Sequence, residues 1–392
     1  MTINVMRIVD RYAGIPLCWL AGLWLRFSSS RNPSPGNWNT ILVMKFFGLG
    51  SLLLSTPFLS TLKRRLPEVR IVYLTFAANK ELLDKLPQPD IKLLIDTSSP
   101  GAFVRSTVGA IRTLRGLSVD AVFDLEFFSK FSTLISSISG ASVRVGYDLP
   151  TRWRRMNLSH PVLLDQSTHA TRLFAAQLRP FGIPEEQELS ITRLRSSSAA
   201  AQSMEKKLGL HRNGFTIVTI NINAGPTSRE RRWDRARFVG VALELRSIVP
   251  SVRFFFTGTA DERGYVDEAL GREPGLTPHA VNCAGLLTLD EFIALLERSS
   301  LFLTSDSGPM HIAASVGTPL VALFGPESPR FYGPLGDSRV IYKGISCSPC
   351  LNIYNAKLFV CPYHARCMSE ISTHEVVSAV RQLLPSLSPE PT

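Results

Sequence analysis

A chain of 392 residues is longer than one hydrophobic core usually serves, so two domains are expected. A hydrophobic share of 45% excludes a disordered or fibrous chain, except at the ends. The net charge of +11 points to an anionic partner, such as a phosphorylated glycolipid or a membrane surface; nucleic acid is set aside, because the basic residues lack interleaved aromatics and any recognised binding module.

Residues 1–35 read as a prefix. Within it Ala13–Phe27, AGIPLCWLAGLWLRF, is apolar with two Trp and is flanked by Arg7, Arg11, Arg26 and Arg31. It is shorter than the about 20 residues that span a bilayer. Its composition suits an interfacial helix, with Trp at the headgroup boundary and Arg toward anionic lipid; a helix packed on the protein's own body would read the same way. Ser28–Asn39 is a linker by composition.

The first domain, residues 36–190, opens with the buried strand Ile41–Met44 and a tight turn at Gly48-Leu49-Gly50-Ser51. A helix over Leu52–Leu66 follows and closes on Lys63-Arg64-Arg65, which suits a helix C-terminus. No Lys follows the glycine, so the turn is not a Walker loop, and it lacks the third glycine of a dinucleotide fingerprint. Its expected role is close approach of backbone to a ligand, with Gly50 at the contact. Further strands are expected at Arg70–Thr75, Lys92–Ile95, Ala121–Leu125 and Ser142–Tyr147, with helices at Gly101–Leu114 and Thr168–Leu178. Alternation of apolar strands and helices implies a doubly wound parallel sheet. Asp124 and Glu126 stand at the carboxyl end of one strand. Gly182–Ser198 is polar and reads as the link.

The second domain, residues 191–392, starts its sheet at Phe215–Asn221. The loop Asn223-Ala224-Gly225-Pro226 leads to Arg229, Arg231, Arg232 and Trp233, which open a helix over Asp234–Leu245. The strand Val252–Thr257 ends in Gly258–Glu262, and the helix Leu289–Arg298 feeds the most informative stretch, residues 301–336. That stretch is a strand at Leu301–Leu303, a polar elbow Thr304-Ser305-Asp306-Ser307-Gly308-Pro309, a helix carrying His311, a strand at Leu320–Phe324 and a Gly325-Pro326 turn. An elbow between a strand and a helix N-terminus is where anions bind in open α/β sheets. Pyrophosphate wants free backbone N–H groups, here from Ser307 and Gly308, and cations, here Arg231 or Arg232. The carboxylate of Glu262 suits a ribose diol. The stretch therefore reads as a site for the phosphates and ribose of a sugar nucleotide.

Four of the six cysteines cluster as Cys347-x2-Cys350-x10-Cys361-x5-Cys367. No cleavable signal peptide is visible, so a reducing compartment is expected, where such a cluster suits a structural zinc; buried or reversibly oxidised thiols are the alternative. Ser372–Leu384 is a last amphipathic helix, capped by Ser372 or Thr373 with Glu375 behind it, and Ser386–Thr392 should fray.

The stretch SDSGPMHIAASVGTPLVALFGPESPRFYGP resembles the signature of family 9 glycosyltransferases, the ADP-heptose:lipopolysaccharide heptosyltransferase group. ILVMKFFGLGSLLLSTPFLSTLKRRLP, INAGPTSRERRWDRARF and the CSPC…C…CM tail extend the resemblance over roughly Ile41 to Leu384. The resemblance implies a GT-B fold, two doubly wound Rossmann-like domains facing a central cleft. It implies inverting transfer of heptose or a similar sugar from a nucleotide-sugar donor such as ADP-heptose, without an obligate catalytic metal. The acceptor would be lipopolysaccharide core or a related lipid-linked glycan, the first domain would hold it, and the enzyme would be cytoplasmic and peripheral on the inner membrane. Asp306, Ser307, Gly308 and His311 match the family's donor-binding motif, Arg231 matches the basic residue before its Trp, and Glu262 matches the acid that contacts the ribose. One departure stands out. The family's first turn reads Gly-Asp, with Asp the candidate base, whereas this chain has Gly50-Ser51. A serine of ordinary pKa is no general base. Asp124 and Glu126 are the substitutes, Glu126 preferred; the alternative is a catalytically silent relative that binds nucleotide sugar or glycan as a scaffold.

Overall fold

The computed structural model describes residues 10, 12–27, 34–148, 152–210, 214–225, 229–353, 355 and 360–384. The readings of Arg7, Arg11, Arg31 and Pro226, residues 28–33 of the 28–39 linker and the 386–392 end lie outside the described residues. The chain divides into two compact units, Met1–Ile191 and Thr192–Thr392.

Each unit is built on a six-stranded sheet in which every pairing is parallel. The first unit contains β1 (Thr40–Met44), β2 (Arg70–Phe76), β3 (Ile91–Ile95), β4 (Ala121–Asp124), β5 (Val143–Asp148) and β6 (His160–Leu163), in the order β3-β2-β1-β4-β5-β6. The second contains β7 (Thr216–Asn221), β8 (Val252–Phe256), β9 (Ala280–Asn282), β10 (Leu301–Ser305), β11 (Leu320–Phe324) and β12 (Ser338–Tyr342), in the order β12-β11-β10-β7-β8-β9. The two orders are the same topology. In each, the winding direction reverses between the first and fourth strands, at β1/β4 and at β7/β10. Ligands of open α/β sheets bind outside the strand ends at such a reversal.

The inner strands TILVM, LFLTS and LVALF are buried at every position, as strands covered by helices on both faces must be. The register then fixes what meets at each reversal. Met44 pairs with Asp124, which puts Lys45 and Glu126 one and two residues past that last pair. Thr304 pairs with Asn221, which brings Ser305–Ser307 level with Ile222 and Asn223. In the second unit Trp233, Phe238, Phe254 and Phe256 are almost fully buried in one cluster. Each such side chain contributes about 1.5–3 kcal/mol by leaving water.

Several local details differ from the expectation. The single helix over 52–66 is two, Leu49–Leu54 and Thr56–Arg65. Ser55 separates them, its Oγ donating to the Leu52 carbonyl (2.7 Å), and Pro57 supplies the early position of the second helix that needs no N–H donor. Gly48 caps the first helix with φ of +85°, so Gly50 and Ser51 lie inside that helix instead of in a turn. Thr168–Leu178 is a short α-helix, Ala170–Ala175, continued as a 3-10 helix. The helix Gly14–Phe27 is not a detached prefix: it packs on the helices Lys130–Ile138 and Arg152–Arg155 of the first unit. At the far end, Ser372 and Glu375 form a reciprocal capping box on the helix Thr373–Leu383.

Candidate functional site

In the first unit the β1/β4 reversal is closed by a buried ion pair. Lys45 Nζ lies 2.9 Å from Glu126 Oε1, and the two side chains are 3% and 7% exposed. The same oxygen accepts from the Phe46 N–H (2.7 Å) and the Phe47 N–H (3.1 Å), so Glu126 ties down the segment leaving β1. Burial raises the Glu126 carboxyl, but Lys45 and these two N–H groups outweigh it and hold it below the ordinary glutamate value. Asp124 is 1% exposed. It accepts from Arg154 Nη2 (3.0 Å), Ser132 Oγ (2.7 Å) and the Glu126 N–H (3.0 Å). Burial pushes it up to about 6, against the pull of Arg154 and Ser132. Arg154 also donates to the carbonyls of Glu126 (2.6 Å) and Phe127 (2.9 Å), so Asp124 and Arg154 together brace the segment leaving β4. Gly50 is buried and Ser51 is half-buried beside Gly48.

In the second unit the residues expected to hold a donor gather at the ends of β7, β8 and β10. The helix Gly308–Val316 begins directly after β10, with Ser307 at its N-cap and no side-chain cap on its N–H groups. Ser307 thus holds the capping position. The Ser307 hydroxyl is turned instead to Asn221 Nδ2 (3.4 Å) and Thr304 Oγ1 (3.1 Å). Asp306 accepts from Arg231 Nη1 at 3.2 Å, and Arg231 Nη2 donates to the Ala224 carbonyl at 2.9 Å. A guanidinium is therefore fixed beside the start of the helix. Trp233 anchors the segment that carries it: its N–H reaches Ser305 Oγ (3.3 Å) and its indole donates to the Ile371 carbonyl (3.1 Å). His311 is buried one turn into the helix. Glu262 spends Oε2 on its own capping box, accepting from the Thr259 N–H at 2.9 Å, while Oε1 stands 3.7 Å from Arg232. Asn223 donates to the Thr257 carbonyl (3.2 Å), and its buried Oδ1 has no hydrogen-bond partner among the described residues. Gly258 is required there, since a Cβ would lie 2.7 Å from Asn223 Nδ2.

Glu327, just past the Gly325-Pro326 turn, was not anticipated. It is 8% exposed, and burial first, then the negative charge of Asp306, push its carboxyl up to about 8. An acid three residues beyond the carboxyl end of an inner strand is the signal that could have found it. The turn before it is gripped by the cysteine segment: the N–H groups of Cys350 (2.9 Å) and Leu351 (2.7 Å) both donate to the Pro326 carbonyl, and Ser348 Oγ donates to the Gly325 carbonyl. Cys347, Cys350, Cys361 and Cys367 are free thiols. Burial, then the neighbouring sulfurs, raises Cys350 and Cys367, the latter to about 11. Among the described residues no three His, Cys, Asp or Glu are grouped so as to hold a metal ion. The sulfurs influence one another without converging on one point.

The fold is that of solved GT-B enzymes. A family 9 glycosyltransferase from Veillonella parvula matches with a TM-score of 0.74 at 23% identity, over 91% of this chain and 100% of that one. The ADP-heptose lipopolysaccharide heptosyltransferase II of Escherichia coli matches with a TM-score of 0.70 at 21% identity, over 88% and 99%. Two doubly wound units of this strand order thus give the chain a GT-B fold. The chain belongs to glycosyltransferase family 9 (heptosyltransferase), whose family model matches residues 108–358. Among relatives, lipopolysaccharide heptosyltransferase 3 of Escherichia coli is 28% identical over 302 residues, 74% of this chain and 85% of that protein.

Proposed function

We propose that this glycosyltransferase moves a heptose from an ADP-activated donor, with inversion, to lipopolysaccharide core or a related lipid-linked glycan. The observation that carries the donor half is the uncapped N-terminus of Gly308–Val316, with Arg231 held beside it by Asp306. Backbone N–H groups and a fixed guanidinium match a pyrophosphate. Ser307, Gly308 and His311 would line the phosphates and Arg232 would add a second cation. Glu262, already committed to its cap through one oxygen, has the other for a ribose hydroxyl. The relatives' names supply the sugar, the nucleotide and the acceptor class.

On this reading unit 192–392 takes the donor and unit 1–191 the acceptor, with Gly50 at the close approach of backbone. Ser51 occupies the place of the family's acid. Of the two carboxylates nearby, Glu126 is the base we favour, being ionised and standing where β1 and β4 reverse. Asp124, 1% exposed and braced by Arg154, positions the same segment. A cytoplasmic enzyme working at the inner membrane surface fits a lipid-linked acceptor; none of the described helices is long and apolar enough to cross a membrane.

Incubating the purified protein with ADP-heptose and lipid-linked core oligosaccharide, and following ADP release, tests the proposal. Release that depends on acceptor supports it. Saturable ADP-heptose binding without release would favour the scaffold. Binding is read independently by thermal shift, since a ligand at a hundred times its Kd adds about 2.7 kcal/mol of stability. The finer reading of the cysteine cluster, a structural zinc on Cys347, Cys350, Cys361 and Cys367, rests on their chemistry as soft ligands. It expects about one zinc per chain in protein purified without chelator, and zinc-free protein that unfolds at the same temperature would overturn it.

A further inference from the structure

The helix Gly14–Phe27 is built inside out. Its buried residues are Gly14, Cys18 and Gly22, one turn apart and all small. A Cβ on Gly14 would lie 2.7 Å from the Lys130 Cβ, and one on Gly22 would lie 2.9 Å from the Met156 Cβ. The helix backbone therefore rests directly on the body of the first unit. It is also bolted there: Asn157 Nδ2 donates to the Cys18 carbonyl (3.0 Å), and Asp10 accepts from the N–H groups of Lys130 (3.1 Å) and Phe131 (3.0 Å). Asp10 further faces the Lys130 ammonium at 3.4 Å.

The opposite face carries the large apolar side chains. Leu17, Leu20, Leu23 and Trp24 are 44–63% exposed and Phe27 is 88% exposed, with Trp19 at the flank. On a 100° helical spacing Leu20, Leu23, Trp24 and Phe27 fall diametrically opposite the Gly14-Cys18-Gly22 stripe. A fixed helix that buries its small residues and presents its large ones is a docking face, not a failed core element.

We infer that this face seats the first unit on the surface of a bilayer containing anionic lipid. Charge and residue type select that occupant. The prefix carries four Arg against one Asp, and residues 1–191 hold 22 Lys and Arg against 14 Asp and Glu, eight of the chain's eleven net positive charges. Trp and Phe beside Arg26 at the helix end is the residue set of the headgroup–acyl boundary. The helix lies on the membrane and does not cross it. Rigid seating gives the first unit one orientation toward the lipid surface, which a helix on a loose tether would not. The inference stands on the helix and the charge alone, without the donor chemistry.

Cosedimentation of the full chain with vesicles tests it, with no donor present. Vesicles of phosphatidylcholine containing about one-third phosphatidylglycerol should pellet the protein, and pure phosphatidylcholine should do so less well. The triple variant Leu20→Ser, Trp24→Ser, Phe27→Ser changes only outward residues, so it should keep the unfolding temperature and lose binding by about tenfold or more. Native Trp fluorescence should shift to the blue on vesicle addition. No binding by the native chain, or equal binding by the triple variant, would overturn the inference. So would a concentration-dependent dimer that the variant abolishes in the absence of vesicle binding, since a second copy would then be the occupant. Acceptor-dependent ADP release, measured on a detergent-free soluble glycan, reports separately on the transferase reading.

Discussion

Replacing Glu126 with Gln keeps an oxygen for the N–H groups of Phe46 and Phe47 and removes only the charge that faces Lys45. The Lys45 ammonium, 3% exposed and 2.9 Å from that charge, is left buried without its counterion. Removing one partner of a buried pair costs about 3–5 kcal/mol. Lys45→Met alone should cost less, because two backbone N–H groups still compensate the carboxylate. The double variant Lys45→Met, Glu126→Gln leaves no unpaired charge and should regain most of the loss, a coupling of about 2 kcal/mol or more. Urea unfolding followed by Trp fluorescence is the assay, since Trp19, Trp24, Trp38 and Trp153 report on the first unit and Trp233 alone on the second. Single losses that add to within about 0.5 kcal/mol would refute the pairing argument. The same proteins separate folding from chemistry. If Glu126 is the base, the double variant recovers stability but stays about 10²–10⁴-fold slow in transfer. Turnover that returns with stability would assign Glu126 to the fold and leave the base elsewhere.

Three further outcomes follow from the second unit. Arg231→Ala should raise the KM for nucleotide sugar about tenfold or more and leave Asp306 unpaired, whereas Arg231→Lys should recover only part, lacking the second donor to the Ala224 carbonyl; steady-state kinetics over donor concentration decides. Glu327 ionises near pH 8 in the folded chain and near the ordinary 4.5 when unfolded, so its contribution is fully present below about pH 4.5 and is lost as pH rises toward 8. Glu327→Gln should therefore flatten the decline in unfolding temperature over that window, and an unchanged slope would refute the burial argument. Gly258→Ala forces a methyl against Asn223 Nδ2 and should cost about 1–3 kcal/mol while weakening donor binding, both measurable by thermal shift with and without ADP.

Much of the fold was legible because the inner strands are covered on both faces. Leu320–Phe324 and the run at 301–303 need no alternation to be seen, being continuously apolar. The edge strands β6, β9 and β12 escaped because HPVL, AVN and SRVIY are short and only partly buried, with no apolar run to mark them. The break at Ser55 was visible in principle, as Pro57 marks the start of a helix more readily than its middle. Of the residues expected to hold a donor, Asp306 and Ser307 stand one and two residues past the end of β10, whereas Arg231 stands ten residues past β7 and was read from its place before Trp233. The Lys45–Glu126 pair was out of reach, since its members are 81 residues apart and no local pattern links them.

The shared strand order has a consequence for motion. β1 and β4, like β7 and β10, have a hydrogen-bonded neighbour on each side and lie inside their sheets, while β3, β6, β9 and β12 form the rims. Amide exchange with deuterated solvent should therefore be slowest along these four and fastest along β6, β9 and β12. The groups that would meet substrate project from the ends of the slowest strands, one residue past Ser305 for Asp306 and two past Asp124 for Glu126. Their positional accuracy would be inherited from the stiffest part of each sheet, leaving the surrounding loops free to differ in breathing rate without blurring where the reacting groups stand.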